Sequence, residues 1–229
     1  RAWTKQAMTK ILILGGGGMV GQKLANHLLA SGLPGHKALD ITLFDMAFPL
    51  KQDRRLRCIT GSLTDAQNIT MLAQLRPDIV FHLASIVSGE AESNFDAGWQ
   101  VNMFTMWHYL EALKALHIES NRAYVPKIIF TSSIAVFGGP FPEQIDDTFL
   151  SAPQTSYGAQ KASCELLLSD FSRKGFVDGI SLRLPTICVR PGKANLAASS
   201  FFSGIIREPL NGQKAILPVD ESVRHWHAS

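Results

Sequence analysis

Apolar and polar positions along this chain alternate between two periods. Short runs that are apolar nearly throughout read as buried strands: "KILIL" (Lys10–Leu14), "ITLF" (Ile41–Phe44), "DIVFHL" (Asp78–Leu83), "KIIFTS" (Lys127–Ser132) and "ISLRL" (Ile180–Leu184), with "RLRCIT" (Arg55–Thr60) a weaker member. Between them lie stretches with helical spacing. One follows the first strand, with Met19, Val20, Leu24 and Leu28 on one face and Gly32 as its stop. Others run from Asp65 to Leu75, from Asn94 to about His117 and from Ser156 to Lys174, the last closed by Gly175. A short helix is expected over Ser199–Arg207.

Strands without a polar face, separated by helices, imply a parallel sheet covered on both sides. The predicted class is therefore α/β, a doubly wound parallel sheet (Rossmann fold) with right-handed crossovers. The pattern weakens after Pro191. Residues 8–190 read as the dinucleotide-binding domain and 191–229 as the start of a small, partly missing C-terminal substrate region; "RAWTKQA" before Met8 reads as a lead or tag remnant.

Composition narrows the functional classes. The net charge of +3 comes without a run of Lys/Arg, so nucleic acid is not an expected partner. The densest basic patch, Lys51–Arg57, contains Asp53 and reads as a solvated loop. No apolar span approaches the roughly 20 residues a membrane helix needs. Cys58, Cys164 and Cys188 are odd in number and far apart, which suits a reduced, cytoplasmic compartment. His225 and His227 have no third ligand nearby in sequence, so no metal is expected, and His82 reads as a core histidine.

Candidate chemistry starts at "GGGGMVG", directly after the first strand and at the opening of a helix. Gly15, Gly18 and Gly21 are spaced G-x-x-G-x-x-G, which lets backbone N–H groups of the loop and of Met19 and Val20 approach a pyrophosphate. Asp45, closing the next strand, can hold a ribose diol and repel a 2′-phosphate, which favours NAD over NADP; a loop cap is the alternative. Tyr157 precedes Lys161 by one helical turn, so the two share a face. Taken alone, that spacing also suits surface packing of a lysine stem.

"GGGGMVG", "FHLAS" (Phe81–Ser85), "VN" (Val101–Asn102), "FTSSIAVFG" (Phe130–Gly138) and "SYGAQK" (Ser156–Lys161) together resemble the extended short-chain dehydrogenase/reductase (NAD-dependent epimerase/dehydratase) family in order and spacing, over nearly the whole chain. The resemblance implies that Tyr157 is the general base, that Lys161 favours its phenolate and holds the nicotinamide ribose, that Ser133 hydrogen-bonds the reacting oxygen, and that Asn102 supports a proton relay through Lys161. A free phenol titrates near ~10, so a base of this kind needs a cationic neighbour. Further cofactor contacts are expected at Ser62, Leu63, Leu83, Ala84, Ser85, Pro185, Thr186 and Ile187, and substrate contacts at Ser88, Ser133, Tyr157, Asn195, Ser199 and Ser200. For Ser133 a strand-end turn, and for Asn102 an ordinary helix-face residue, remain the plain alternatives.

Ile134 and Ala135 stand where the family's dehydratases carry an Asp-Glu pair, which argues against water elimination. Ser62 stands where relatives often have Asp near the adenine. The segments Pro153–Gly179 and Leu182–Leu210 resemble family members that oxidise a four-carbon sugar acid at C2 with NAD. The expected function is such an oxidation, with a nucleotide-sugar epimerase or a non-catalytic dinucleotide sensor as alternatives. A small-molecule substrate and, by family resemblance, a homodimer are implied.

Overall fold

A computed structural model describes residues 8–192, 194 and 196–229. The lead at residues 1–7 and the substrate candidate Asn195 lie outside the described residues. The element order is β1 (Thr9–Leu14), α1 (Met19–Ser31), β2 (Leu39–Asp45), β3 (Leu56–Thr60), α2 (Ala66–Gln74), β4 (Ile79–His82), α3 (Ser88–Ser93), α4 (Phe95–Trp99), a π turn (Gln100–Phe104), α5 (Thr105–Glu119), β5 (Lys127–Ser133), a 3-10 turn (Ile134–Val136), α6 (Ser156–Arg173), β6 (Asp178–Leu184), β7 (Thr186–Ile187), a second 3-10 turn (Ala198–Ser200), α7 (Phe201–Leu210) and β8 (His227–Ala228).

The strands form a six-stranded sheet ordered β3-β2-β1-β4-β5-β6, the doubly wound order expected from the alternating periods. β1 is its hydrophobic centre: Ile11, Leu12, Ile13 and Leu14 are at most 1% exposed. The parallel register runs from Ile11↔Ile41 to Leu14↔Phe44 on one side of β1 and from Ile11↔Ile79 to Leu14↔His82 on the other. It carries on from Ile79↔Lys127 to His82↔Phe130 between β4 and β5. The carboxyl ends of β1, β2 and β4 are therefore flush, and the loops that leave them start side by side.

The chain divides into two compact units. The first runs to Ser85 and adds Phe104–Thr131 and Cys164–Ser181; the second comprises Ile86–Met103, Ser132–Ser163 and Leu182–Ser229. Within the first, α1 packs Gly21, Ala25 and Leu28 inward, and α5 buries Tyr109, Leu110, Leu113 and Leu116. His82 is 1% exposed and meets Phe130 edge-on at 5.8 Å. The Lys51–Arg57 patch is an exposed loop where Arg55 makes a two-point ion pair with Asp53, holding that carboxyl at about 2.

Two expectations are redrawn. The helix over Asn94–His117 is interrupted: Asn94 caps α4 by accepting from Ala97 N–H, and a π turn separates α4 from α5. Beyond β6, β7 pairs in parallel with β8 near the end of the chain, a two-residue pairing too short to leave a period in the sequence. Among the described residues no helix is long and apolar enough to cross a membrane.

Candidate active site

In the first unit a candidate dinucleotide cradle begins where β1 ends. Gly15 has φ +84, and a Cβ there would lie 2.6 Å from the backbone nitrogen of Ala84. Only glycine permits the close passage of this loop across the end of β4. The loop amides of Gly15 and Gly16 donate to the Phe44 carbonyl, and Leu83 N–H donates to Leu14 O, so loop and strand ends are tied together. Gly18 is the N-cap of α1 but supplies no side-chain capping bond, and the first turn has no acidic residue. The N–H groups of that turn thus face outward without a built-in anion, the arrangement a pyrophosphate needs.

Asp45 closes β2. Its carboxylate accepts from Gly17 N–H at 2.9 Å and from Met46 N–H at 2.7 Å. It is therefore a loop cap, and each oxygen keeps capacity for a further bond, such as one from a ribose hydroxyl. The Ser62–Leu63 turn follows β3: Gly61 N–H donates to Asp45 O, Asn68 donates to Ser62 O, and Ser62 and Thr64 hydroxyls are 2.7 Å apart. Leu63 is buried. Gly15, Gly18, Met19, Val20, Gly21, Asp45, Ser62, Leu63, Leu83, Ala84 and Ser85 all belong to this unit. The bare glycine cradle and the uncapped helix fit a dinucleotide.

The second unit has its own candidate site, built from side chains. Tyr157 stands in the first turn of α6, half-buried, and Lys161 one turn on is only 2% exposed. The Lys161 Nζ lies 5.5 Å from the centroid of the Tyr157 ring, within range of a cation–π contact. A lysine this buried is no surface residue, which disposes of ordinary stem packing. The other two tyrosines make poor bases. Burial pushes Tyr109 well above its ordinary range; burial and then the Asp78 charge push Tyr124 up, and its hydroxyl donates to Pro77 O.

Ser133 ends β5, and its Oγ accepts from Ala135 N–H at 3.1 Å, which leaves the hydroxyl proton to donate elsewhere. Gly158 lacks the Cβ that would run into Ala135 O, so the Ser133–Ala135 turn seats directly against the start of α6 beside Tyr157. Asn102 lies in the π turn, 1% exposed. Its Oδ1 accepts from Ile86 N–H at 2.9 Å; its Nδ2 donates to Gln160 Oε1 at 2.8 Å and to Ile86 O at 3.3 Å. Single π turns inside helices recur at functional sites. Sequence reading missed both this turn and Gln160, which looks in one dimension like any polar residue in a helix.

The outlying candidates are spread through the same unit. Ser88 Oγ accepts from Ala198 N–H at 2.9 Å, which holds α3 to the 3-10 turn bearing Ser199 and Ser200. Pro185 precedes β7, where Thr186 Oγ1 is 2.7 Å from His225 Nε2 and Cys188 Sγ is 3.6 Å from His227 Nδ1. Phe202 stacks on His225 at 4.7 Å. No group of three potential metal ligands occurs among the described residues.

The signature of the NAD dependent epimerase/dehydratase family matches residues 11–227. The chain is 46% identical over 222 residues to D-erythronate dehydrogenase of Haemophilus influenzae, covering 96% of this chain and 68% of that protein. It is 47% identical over 222 residues to D-erythronate dehydrogenase of Cupriavidus necator, covering 94% and 67%. Among solved structures it is similar to one described as a nucleoside-diphosphate-sugar epimerase from Agrobacterium tumefaciens, at TM-score 0.88 and 47% identity over 100% of this chain and 69% of that one. A UDP-glucose 4-epimerase of Thermus thermophilus in complex with NAD shares the fold, at TM-score 0.79 and 20% identity over 96% of this chain and 70% of that one. The chain belongs to the NAD dependent epimerase/dehydratase family and is an NAD-dependent oxidoreductase.

Proposed function

We propose that the protein oxidises D-erythronate, or a close four-carbon hydroxy acid, to the 2-oxo acid. The observation that carries this is the buried Lys161 ammonium beside the Tyr157 ring, in a chain 46–47% identical to two D-erythronate dehydrogenases over nearly its full length. When bound, NAD supplies the acceptor for the hydride that leaves C2. The Gly15–Gly21 loop and Asp45 would hold its pyrophosphate and adenosine ribose, and Lys161 would hold the nicotinamide ribose.

Tyr157 takes the proton of the C2 hydroxyl. Lys161 supplies the adjacent positive charge that offsets the phenolate. Ser133 donates its free hydroxyl proton to the substrate oxygen while charge develops there. Asn102 steadies the relay that passes the proton onward. Ser88, Ser199 and Ser200 offer hydroxyls to the acid's own hydroxyls and carboxylate, and Pro185, Thr186 and Ile187 would flank the nicotinamide amide. Ile134 and Ala135 supply neither acid nor base, so dehydration lacks its proton donors and acceptors.

A second reading, epimerisation of a nucleotide sugar, is favoured by the description of the Agrobacterium tumefaciens structure. NADH absorbance separates the two. Sustained NADH formation with D-erythronate supports the dehydrogenase; inversion of a nucleotide sugar without net NADH supports the epimerase and overturns the first reading. We also propose a homodimer through α5 and α6, which leave Trp107 and Leu166 exposed; a monomer by sedimentation would contradict it.

A further inference from the structure

Gln160 is 0% exposed and sits immediately before Lys161 on α6. Its Oε1 accepts from Asn102 Nδ2 at 2.8 Å, whereas its Nε2, equally buried, has no hydrogen-bond acceptor among the described residues. That Nε2 rests over Gly98, where a Cβ would come within 2.5 Å of it. A leucine or methionine would fill this space without an orphaned donor, so packing does not explain an amide here.

What the amide does is tether. An asparagine side chain can present its oxygen or its nitrogen either way round. Ile86 selects one of the two, because its N–H donates to the oxygen and its C=O accepts from the nitrogen. Gln160 Oε1 accepts from the NH2 end and ties the amide so oriented to α6, one residue before Lys161. We propose that Gln160 is a positioning residue: through Asn102 it ties the π turn to α6 one residue before Lys161, and so holds the asparagine amide where it serves proton transfer at Tyr157 and Lys161. This rests on the dehydrogenase reading for its kinetic consequence, but its structural core does not.

The test uses Gln160→Met, which keeps shape but removes the acceptor, Gln160→Glu, which keeps an acceptor oxygen, Asn102→Ala, and the Gln160→Met/Asn102→Ala pair. Gln160→Met should lower kcat by about 10-fold, the scale of one lost hydrogen bond, with KM for NAD little changed. Gln160→Glu should recover most of that loss. In the double variant kcat should fall no further than in Asn102→Ala, because Gln160 acts through Asn102. Additive losses, or a Gln160→Met enzyme with normal kcat, would overturn the proposal. Where Gln160→Met does not fold, Gly98→Ala displaces the same amide and is judged by the same outcomes. If the unaltered protein forms no NADH with any four-carbon acid, the functional reading fails instead. The side-chain NH2 resonances of Asn102 then decide: a shift in Gln160→Met supports positioning, and unchanged signals sink it.

Discussion

The glycine cradle and the region around Tyr157 solve opposite problems. The cradle works by having no side chains: Gly15 passes Ala84 where a Cβ would clash, and the first turn of α1 is left uncapped. The Tyr157 region works by having several, drawn from α6, the π turn and the end of β5. One region is tuned by backbone path, the other by the placement of single atoms. A substitution should therefore damage binding in the first and chemistry in the second.

The largest effect should come from Tyr157→Phe. Removing one oxygen takes away the proposed base while the ring and its contact with Lys161 remain, so kcat should fall about 10³-fold or more. NAD affinity, measured by fluorescence titration, should stay near normal. A near-normal rate would take the base role from Tyr157.

Gly15→Ala is the mirror experiment. The added methyl meets Ala84 backbone in a left-handed conformation, a strain of about 1–3 kcal/mol. If that strain falls on the bound state, NAD affinity drops about 10-fold or more, since each 1.4 kcal/mol or so is tenfold. The kcat at saturating NAD should survive. A variant that lost kcat and kept affinity would erase the division between the two regions.

Asp45→Asn tests the cradle's one charged side chain. The amide oxygen can still accept a loop N–H, so the turn should persist. Loss of the negative charge should narrow the preference for NAD over NADP by about tenfold, read as the ratio of kcat/KM values. An unchanged ratio would reduce Asp45 to the loop cap formed with Gly17 and Met46.

This division also explains what could be read in one dimension. The cradle was legible because its parts are consecutive: an apolar strand, four glycines, a helix and an acid at the next strand end. The six-stranded sheet was legible for the same reason, since apolar runs such as Ile11–Leu14 mark strands wherever they fold. Tyr157 and Lys161 share a helix turn and could be paired. Gln160 could not, because its partner Asn102 is 58 positions away. Nor could Gly98 and Gly158, whose missing Cβ atoms matter only against Gln160 and Ala135. The π turn left no mark, because its residues continue the helical pattern on either side. The β7–β8 pair depends on Thr186 meeting the backbone of Trp226, a contact no local period encodes.

The smallest predicted effect sharpens the same contrast, since the glycine loop carries no titratable group and the second unit does. His225 is exposed by area, yet Phe202 covers one face of its ring. That partial desolvation, and then the neighbouring His227, lower its pKa below the ordinary 6.5. The fold thus favours neutral His225. Above about pH 7 the residue is neutral in folded and unfolded chains and contributes no pH dependence. As pH falls through 6.5 the unfolded chain takes up the proton first, so stability declines; the decline levels off once the folded residue is protonated too. Solvent screens a group this exposed, so the expected change in Tm between pH 8 and pH 5.5 is only about 1 °C. His225→Gln, measured by thermal unfolding at both pH values, should flatten that slope, whereas Gly15→Ala should shift Tm equally at both. If His225→Gln leaves the slope as it was, the stacked ring is not what makes this unit sensitive to acid.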